Sequence, residues 1–359
     1  MSSIWVVCKD AGGTNNLLPI LPLLRNAGHE VKLFLHEGGK GETSIKTANE
    51  PFEAVNTAEE VIQKYGKPNL LVTSMCSDGG VGRDLIPILR DLDAPTAAIQ
   101  DFWGGRLNTD FKNKKFHPDL ITINDKAGFV IVHNVWGRRQ TDTLVAVTGY
   151  PRLDAFANLN RAKLEESGRE LYGIRDDLPI VLYSGQIWHA GSMLEKVVQS
   201  LNHIKVPCHL LTSRHPRMAT EAPEEETKMW RWAETSVDSH VRLHREAKSN
   251  LETILVSSVV VGQYTTVLVD AAALGKQNIS LLYPEYGASA FQREFGGVME
   301  EFPLVSLGCT AEVKNDRELR ETFARALGKG LNLESDQAET FRLDGRNSLR
   351  TVEKILDLL

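Results

Sequence analysis

Short, continuously apolar runs alternate along the whole chain with segments whose apolar residues recur at helical spacing. In the first half these runs lie at 4–8, 31–35, 69–74, 95–100, 119–124 and 144–151. The pattern restarts in the second half, with runs at 179–185, 208–213, 240–244, 257–262 and 278–283. Unbroken apolar strands separated by helices are typical of parallel sheets that are covered on both faces. We therefore expect an α/β protein built from two doubly wound, Rossmann-like domains.

The break between the two patterns predicts the domain boundaries. Residues 152–176 are highly charged and contain no strong strand, so they are interpreted as a linker between domains at 1–151 and 177–335. The final segment, 336–359, has the amphipathic spacing of a helix that crosses back to the N-terminal domain; packing on the second domain is the alternative. Further helices are predicted across 15–27 and near 81–92, and a surface helix within 220–232.

Composition restricts the possible partners. The 359 residues carry a formal net charge of -6 without a basic stripe, which argues against a nucleic-acid polymer as a partner. No apolar run approaches the roughly 20 residues of a membrane span, and the first residues resemble a strand rather than a basic leader. The four cysteines are far apart and form no CxxC pair, so we expect reduced thiols and a cytoplasmic location.

Ligands of open parallel sheets bind beyond the carboxyl ends of the strands, which makes the first-domain loops at 9–19, 75–84 and 100–110 candidates. Asp101 follows a strand among aromatic residues, and an apolar wall would raise its pKa toward neutrality. It is our first choice for a general base, with Asp10 and Asp78 as alternatives. In the first loop Thr14, Asn15 or Asn16 would cap the next helix, and a well-capped turn is the purely structural reading. The residues expected to line a pocket for an acceptor molecule, here called the acceptor side, are Gly12, Gly13, Thr14, Asn15, Trp103 and Arg106.

The second domain offers three loops for a phosphate-bearing ligand. One predicted strand is followed by Gln186, a second by Arg214 and a third by the stretch GQYTTVLVD. The planar guanidinium of Arg214 suits the binding of phosphate. The two threonines in that stretch either cap a helix or mark free amides that await a phosphate. The candidate ligand-binding residues are Gly185, Gln186, Arg214, His215, Tyr264, Thr265, Thr266 and Asp270.

Several signatures of other chemistries do not occur. His240 and His244 are four residues apart but lie in a strand-like segment without an HExxH pattern, so a zinc site is not expected. The sequence contains neither a Walker motif nor a GxSxG elbow. We therefore expect no metal and no cofactor.

Three stretches resemble the GT-B superfamily, especially the non-hydrolysing UDP-N-acetylglucosamine 2-epimerases and related glycosyltransferases. In GQYTTVLVDAAALGK, Tyr264, Thr265 and Thr266 stand where the family has small residues at the start of a helix. The family has an acidic residue within about a turn of that start, and Asp270 stands at this position here. Leu-Gly-Lys then follows, as it often does in the family. VTGYPRLDAF is similar to the family's Thr-Gly-Asn-Pro-x-x-Asp segment. GGTNNLLP is similar to the glycine-rich loop of the lipid II-forming transferase.

The resemblance implies that the helix start holds a diphosphate and Asp270 the ribose. It favours a metal-independent, inverting glycosyltransferase that moves a sugar from a nucleoside diphosphate sugar to a hydroxyl of a small-molecule or glycan acceptor. Retention, the nucleotide base and the oligomeric state stay open. A 2-epimerase or hydrolase is the enzyme alternative, although Gln186 replaces the histidine of the epimerase loop. A CDP-glycerol-type glycerophosphotransferase and a non-catalytic nucleotide-sugar-binding protein are further alternatives.

Overall fold

The computed structural model describes residues 1–75, 79–103, 111–137, 142–248 and 250–359. Internal contacts divide the chain into two compact units. Unit 1 comprises Met1–Asn158, Gly297–Met299 and Arg342–Leu359, and unit 2 comprises Leu159–Gly296 and Glu300–Phe341. Within the described ranges, no helix combines the length and the apolar character that crossing a membrane requires.

In the described part of unit 1, seven strands form one parallel sheet. They are β1 (Ser3–Cys8), β2 (Glu30–His36), β3 (Glu53–Val55), β4 (Leu70–Ser74), β5 (Thr96–Ile99), β6 (Leu120–Ile123) and β7 (Leu144–Val147). Their order is β3-β2-β1-β4-β5-β6-β7, and neighbouring strands are parallel. The chain builds outward from β1 in one direction and from β4 in the other. These two strands therefore form the topological switch point, where open α/β sheets bind ligands.

Of the helices described in unit 1, α4 and α6 begin at a residue whose side chain caps the first turn. Thr57, for example, accepts a hydrogen bond from the Glu60 N–H at 3.1 Å and so caps the helix that follows it. The helices are α1 (Ala11–Leu17), α2 (Leu21–Asn26), α3 (Glu42–Thr47), α4 (Ala58–Tyr65), α5 (Val81–Asp91) and α6 (Lys126–Trp136), with 3₁₀ helices at Leu18–Ile20, Lys114–Phe116 and Pro151–Asn158.

The described part of unit 2 contains a second parallel sheet, of six strands. They are β8 (Ile180–Ser184), β9 (Cys208–Ser213), β10 (Val241–His244), β11 (Val259–Gly262), β12 (Gln277–Leu281) and β13 (Ala311–Val313). The order β10-β9-β8-β11-β12-β13 places the switch point between β8 and β11. Both sheets are doubly wound, which confirms the predicted fold class.

Helices again connect the strands of unit 2. They are α7 (Arg161–Tyr172), α8 (Ala190–Ile204), α9 (Met218–Glu221), α10 (Glu224–Thr235), α11 (Leu251–Val256), α12 (Thr266–Ala273), α13 (Ser289–Phe295), α14 (Pro303–Ser306), α15 (Asp316–Ala326) and α16 (Glu334–Thr340), with a π-helical turn at Pro284–Ala288. The segment 152–176 is thus divided between the 3₁₀ helix Pro151–Asn158, which belongs to unit 1, and α7, which belongs to unit 2.

The last helix, α17 (Asn347–Leu356), belongs to unit 1. The Asp154 carboxylate accepts hydrogen bonds from the N–H groups of Asn347 at 2.8 Å and Ser348 at 2.7 Å, and so satisfies the start of the helix. Val352 and Ile355 then join the buried core of this unit. The C-terminal stretch is therefore built into the same unit as β1.

The structure differs from the sequence-based expectations at three places. The helix predicted across 15–27 begins earlier, at Ala11, and is divided by a 3₁₀ turn. Pro19 and Pro22 explain the division, because proline has no N–H and stands where a new helical turn begins. The short strands β3 and β13 were not predicted, since three residues carry too little periodicity. The predicted surface helix within 220–232 buries one face, including Trp230, against unit 2.

Candidate active site

Asp101 lies at the carboxyl edge of the unit 1 sheet, two residues after β5. Its carboxyl group packs against Gly12, the second residue of α1, which follows β1. A Cβ atom on Gly12 would stand 2.5 Å from both carboxyl oxygens of Asp101. Since real Cβ contacts are not that short, the close approach requires a glycine at this position.

The surroundings of Asp101 alter its acidity. Burial raises the pKa of the Asp101 carboxyl to about 6; the positive charge of Arg152 opposes this shift and the negative charge of Asp10 adds to it. Desolvation is the cause that the sequence had suggested. A carboxylate with a pKa near 6 is ionised at neutral pH and yet accepts a proton more readily than an ordinary aspartate.

Two buried amide side chains hold the backbone at this position. Asn16 donates from Nδ2 to the Gln100 carbonyl at 3.3 Å and accepts the Arg152 N–H at 3.4 Å. Asn124 donates from Nδ2 to the carbonyl of Asp101 at 2.8 Å. Neither asparagine was a site candidate from the sequence. The available signal was that Asn124 directly follows β6, the neighbour of β5 in the sheet.

Trp103 is buried, with only 1% of its surface exposed. Its Nε1 donates to Asp125 Oδ2 at 2.7 Å, and the Tyr150 hydroxyl donates to the same oxygen at 2.7 Å. The Trp103 indole, which we expected on the acceptor side, is therefore held in the protein interior. Residues that follow β6 and β7 supply its partners, which the local sequence did not reveal.

The other candidates of the first loop lie inside α1. Gly13 and Thr14 are buried and Asn15 is exposed. The expectation that Thr14, Asn15 or Asn16 caps this helix is wrong, because Asp10 occupies the cap position and makes no side-chain cap hydrogen bond. The chain turns into the helix immediately after β1, so the polar residues fall within the first turns.

The switch point of unit 1 brings together two cationic side chains that the sequence reasoning missed. Lys9 and Arg83 line a small cavity with Ser74 between the ends of β1 and β4, with an enclosed volume of about 10 Å³. That volume accommodates about one water molecule. The candidates Asp78 and Arg106 lie outside the described residues.

The switch point of unit 2 joins two of the predicted loops. Gln186, which follows β8, donates from Nε2 to the carbonyl of Tyr264, which follows β11, at 2.8 Å. Gly185 is buried beneath this contact, and a Cβ there would meet the Trp230 ring at 2.6 Å. Gly185, Gln186 and Tyr264 therefore lie together at the point where this sheet would take a ligand.

Helix α12 begins two residues after Tyr264. Thr265 is the N-cap residue, and its hydroxyl accepts the Val267 N–H at 3.3 Å. Thr266 is the first helical residue, and Asp270 lies one turn further along, partly buried. Capping is thus present in the structure, and it uses only one of the four amides that a helix start leaves without intrahelical partners.

The Tyr264 side chain points away from solvent. Its ring packs edge-on against Phe291 at 5.4 Å and Phe295 at 5.8 Å. Burial, with a contribution from Glu294, raises the pKa of its hydroxyl well above the ordinary value. Tyr264 therefore contributes its backbone to the loop, while its ring belongs to the interior.

Arg214 follows β9, the strand next to β8. Its guanidinium lies over the Trp230 ring at 5.3 Å, and its buried Nε has no hydrogen-bond partner among the described residues. His215 is half-buried, and its Nδ1 accepts the Arg217 N–H at 3.1 Å, which closes the turn. Arg214 is therefore held next to the switch point, whereas one nitrogen of His215 has a structural partner.

An internal carboxylate occupies the start of α8, the other long helix at this edge. Glu226 Oε2 accepts the N–H groups of Gly191 at 2.9 Å and Ser192 at 3.4 Å. The sequence reasoning missed Glu226, because it lies in an acidic run that was interpreted as solvent-exposed. The N–H groups of Gly191 and Ser192 at the start of α8 therefore already have an acceptor, and that acceptor carries a negative charge.

Within the described ranges, no group of three or more His, Cys, Asp or Glu side chains has an arrangement that could hold a metal ion. The candidate chemistry thus rests on the Asp101 carboxyl in unit 1 and on the loops after β8, β9 and β11 in unit 2.

Comparisons with known proteins place the fold in a recognised class. No family model and no curated protein matches the chain in sequence. Solved structures with the GT-B fold match the chain over nearly its whole length, which confirms the fold that the resemblance implied.

Three structures illustrate the similarity. The UDP-GlcNAc 2-epimerase of Neisseria meningitidis, bound to UDP-GlcNAc, matches with a TM-score of 0.71 and 14% identity over 99% of this chain and 100% of that one. MurG of Acinetobacter baumannii matches with a TM-score of 0.63 and 11% identity over 99% of this chain and 100% of that one. Anabaena Alr3699/HepE, in complex with UDP and glucose, matches with a TM-score of 0.64 and 13% identity over 100% of both chains.

Proposed function

We propose that this protein is a metal-independent glycosyltransferase, with a nucleoside diphosphate sugar bound by unit 2 and a hydroxyl acceptor bound by unit 1. The observation that carries the proposal is the Asp101 carboxyl, which is desolvated, has a pKa near 6 and lies at the carboxyl edge of its sheet. Proteins with the same fold are glycosyltransferases or bind UDP and sugars, which makes this chemistry the natural one to test.

The donor site is proposed at the start of α12. The positive end of the helix dipole at the start of α12 and the nearby Arg214 would stabilise the diphosphate, and Asp270 would accept hydrogen bonds from the ribose hydroxyls. Gln186 would keep the loops after β8 and β11 in register through its bond to the Tyr264 carbonyl. The Glu226 carboxylate already accepts two N–H groups at the start of α8 and would repel a diphosphate there, which favours α12 as the diphosphate site.

The reaction proposed is an in-line displacement. The Asp101 carboxylate takes the proton from the acceptor hydroxyl as that oxygen forms a bond to the anomeric carbon of the donor sugar. The bond from the anomeric carbon to the diphosphate breaks, and the nucleoside diphosphate leaves with the electron pair. Inversion follows because the attack comes from the face opposite the leaving group. Cationic and amide groups stabilise the leaving charge, so this mechanism requires no metal.

A nucleotide-sugar 2-epimerase is the second candidate. Structures of such epimerases match with TM-scores of 0.71, 0.69 and 0.66, somewhat above the 0.63 of MurG. At identities between 10% and 15% these values compare folds, and they do not rank the reactions. Asp101 would then move a proton on the sugar itself.

One experiment separates the candidates. The purified protein is incubated with UDP-GlcNAc or UDP-glucose, with and without a panel of hydroxyl acceptors, and the products are identified by NMR and mass spectrometry. We expect a glycoside and UDP only when an acceptor is present, and at least 100-fold less of both with Asp101→Asn, since general bases contribute about 10²–10⁴-fold.

Other outcomes point elsewhere. An epimerised UDP-sugar, or UDP formed without acceptor, would contradict the transferase and support the epimerase or a hydrolase. CDP-glycerol is tested as a third donor with the same acceptors, and turnover of this donor alone would indicate glycerophosphate transfer. Tight binding of a nucleotide sugar without turnover across the acceptor panel would indicate a binding protein.

A further inference from the structure

Two adjacent residues after β6 make three hydrogen bonds to the segment that carries Asp101. The Asn124 N–H donates to Gln100 Oε1 at 3.2 Å, and Asn124 Nδ2 donates to the Asp101 carbonyl at 2.8 Å. The third is the 2.7 Å bond from Trp103 Nε1 to Asp125 Oδ2. Asn124 thus contacts Gln100 and Asp101, and Asp125 contacts Trp103.

Asp125 does more than its place at the start of α6 requires. As N-cap it accepts the Gly128 N–H through Oδ1 at 2.8 Å. A serine or asparagine would serve that purpose without the cost of a buried carboxylate. The second oxygen, Oδ2, accepts from both Trp103 and Tyr150. An acid with two acceptor oxygens is therefore needed because it holds the loop as well as the helix.

The loop itself needs such support. Trp103 has a φ of 27°, in the region that residues other than glycine rarely adopt. A backbone of this kind persists when its surroundings hold it in place. The buried indole, its bond to Asp125 and its edge-on contact with the Tyr150 ring at 6.3 Å supply that restraint.

We propose that Asn124 and Asp125 are positioning residues, which clamp the Gln100–Trp103 segment so that the Asp101 carboxyl stays packed against Gly12. They touch neither substrate nor reacting atoms and act through Asp101. The part that Asp101 plays in catalysis rests on the proposed function, but the clamp concerns only the position of its carboxyl. Arg152 and Asp10 are the charged groups whose fields act on that carboxyl, and the variants below leave both unchanged.

The test measures the pKa of Asp101 directly, by the carboxyl ¹³C shift of the full-length protein, with the signal assigned through Asp101→Asn. Asp125→Asn and Trp103→Phe each remove the bond between the loop and the carboxylate; Trp103→Phe keeps the helix cap. Tyr150→Phe is the matched control, because it removes a bond of equal length to the same oxygen and keeps the ring that contacts Trp103.

We expect the pKa of Asp101 to fall by about one unit or more, toward the ordinary value of 3.8, in Asp125→Asn and Trp103→Phe, since the carboxyl then moves into a more hydrated position. In Tyr150→Phe it should stay near 6. A pKa that stays near 6 in folded Trp103→Phe would overturn the proposal, as would an equal fall in Tyr150→Phe. If Asp125→Asn does not fold, Trp103→Phe decides. A wild-type protein without turnover would contradict the proposed function and leave this comparison intact.

Discussion

Replacing Gly12 by alanine tests the contact on which the candidate base depends. The added Cβ would stand 2.5 Å from both carboxyl oxygens of Asp101, whereas ordinary contact begins near 3.4 Å. The carboxyl must therefore retreat by roughly 0.9 Å, the difference between those two distances. A misplacement of about 1 Å in a catalytic group can cost on the order of 100-fold in rate.

The same change should not harm folding. Gly12 lies within α1, and alanine is favoured over glycine in a helix by up to about 1 kcal/mol. We therefore expect Gly12→Ala to fold with undiminished stability while kcat/KM for the acceptor falls about 100-fold. The assay follows release of the nucleoside diphosphate, and urea unfolding checks stability.

A double-mutant cycle with Asp101→Asn provides the control. If the methyl group acts through Asp101, the double variant should be no slower than Asp101→Asn alone, because the group that it displaces is already inactive. Full turnover by Gly12→Ala, or losses that multiply in the double variant, would refute the reasoning.

Four further predictions follow from the described contacts. The raised pKa of Asp101, from 3.8 to about 6, means that the folded state prefers the protonated acid, so this group costs stability as pH rises from about 4 to 6. Asp101→Asn should therefore gain up to about 3 kcal/mol of unfolding free energy over wild type at pH 7.5 and lose that gain at pH 4, measured by urea denaturation; an equal difference at both pH values would contradict the shift. Arg214→Lys should already weaken binding of UDP in calorimetry, since lysine lacks the planar fork, and unchanged binding by Arg214→Ala would remove Arg214 from the site. Asp270→Ala should bind UDP, CDP, GDP and dTDP more weakly without loss of thermal stability, and wild-type affinity for all four would refute its proposed contact with ribose. Asp154→Ala should lower the free energy of unfolding by about 1–2 kcal/mol, because two amides at the start of α17 lose their acceptor, and an unchanged urea midpoint would show that they do not depend on it.

Much of the fold could be predicted from the sequence, because buried parallel strands are continuously apolar. The run at 208–213, for instance, coincides with β9, and most of the other predicted strands differ from the structure by a residue or two at either end. The failures have local causes. Prolines at 19 and 22 divide a helix that the apolar spacing alone would make continuous, and three-residue strands leave no recognisable period.

The candidate site could be predicted only in part. The rule that ligands lie beyond strand ends identified Asp101 and Gln186, since it needs no knowledge of partners. It could not show that the Trp103 indole is buried by Asp125, because that contact joins residues from different strands. Glu226 was hidden for the same reason: an acidic run is usually solvated, and only the packing of α10 on α8 turns one of its members inward.

The pH dependence of turnover shows whether the Asp101 carboxylate is the base of a nucleotide-sugar transferase. Release of the nucleoside diphosphate in the presence of acceptor would be followed from pH 4.5 to 8 for the wild type and Asp101→Asn. We predict that kcat/KM of the wild type rises with pH and levels off above an apparent pKa near 6, and that the residual rate of Asp101→Asn lacks this step. A wild-type rate that is independent of pH across this range, or an Asp101→Asn variant with the same profile and the same rate, would contradict the account.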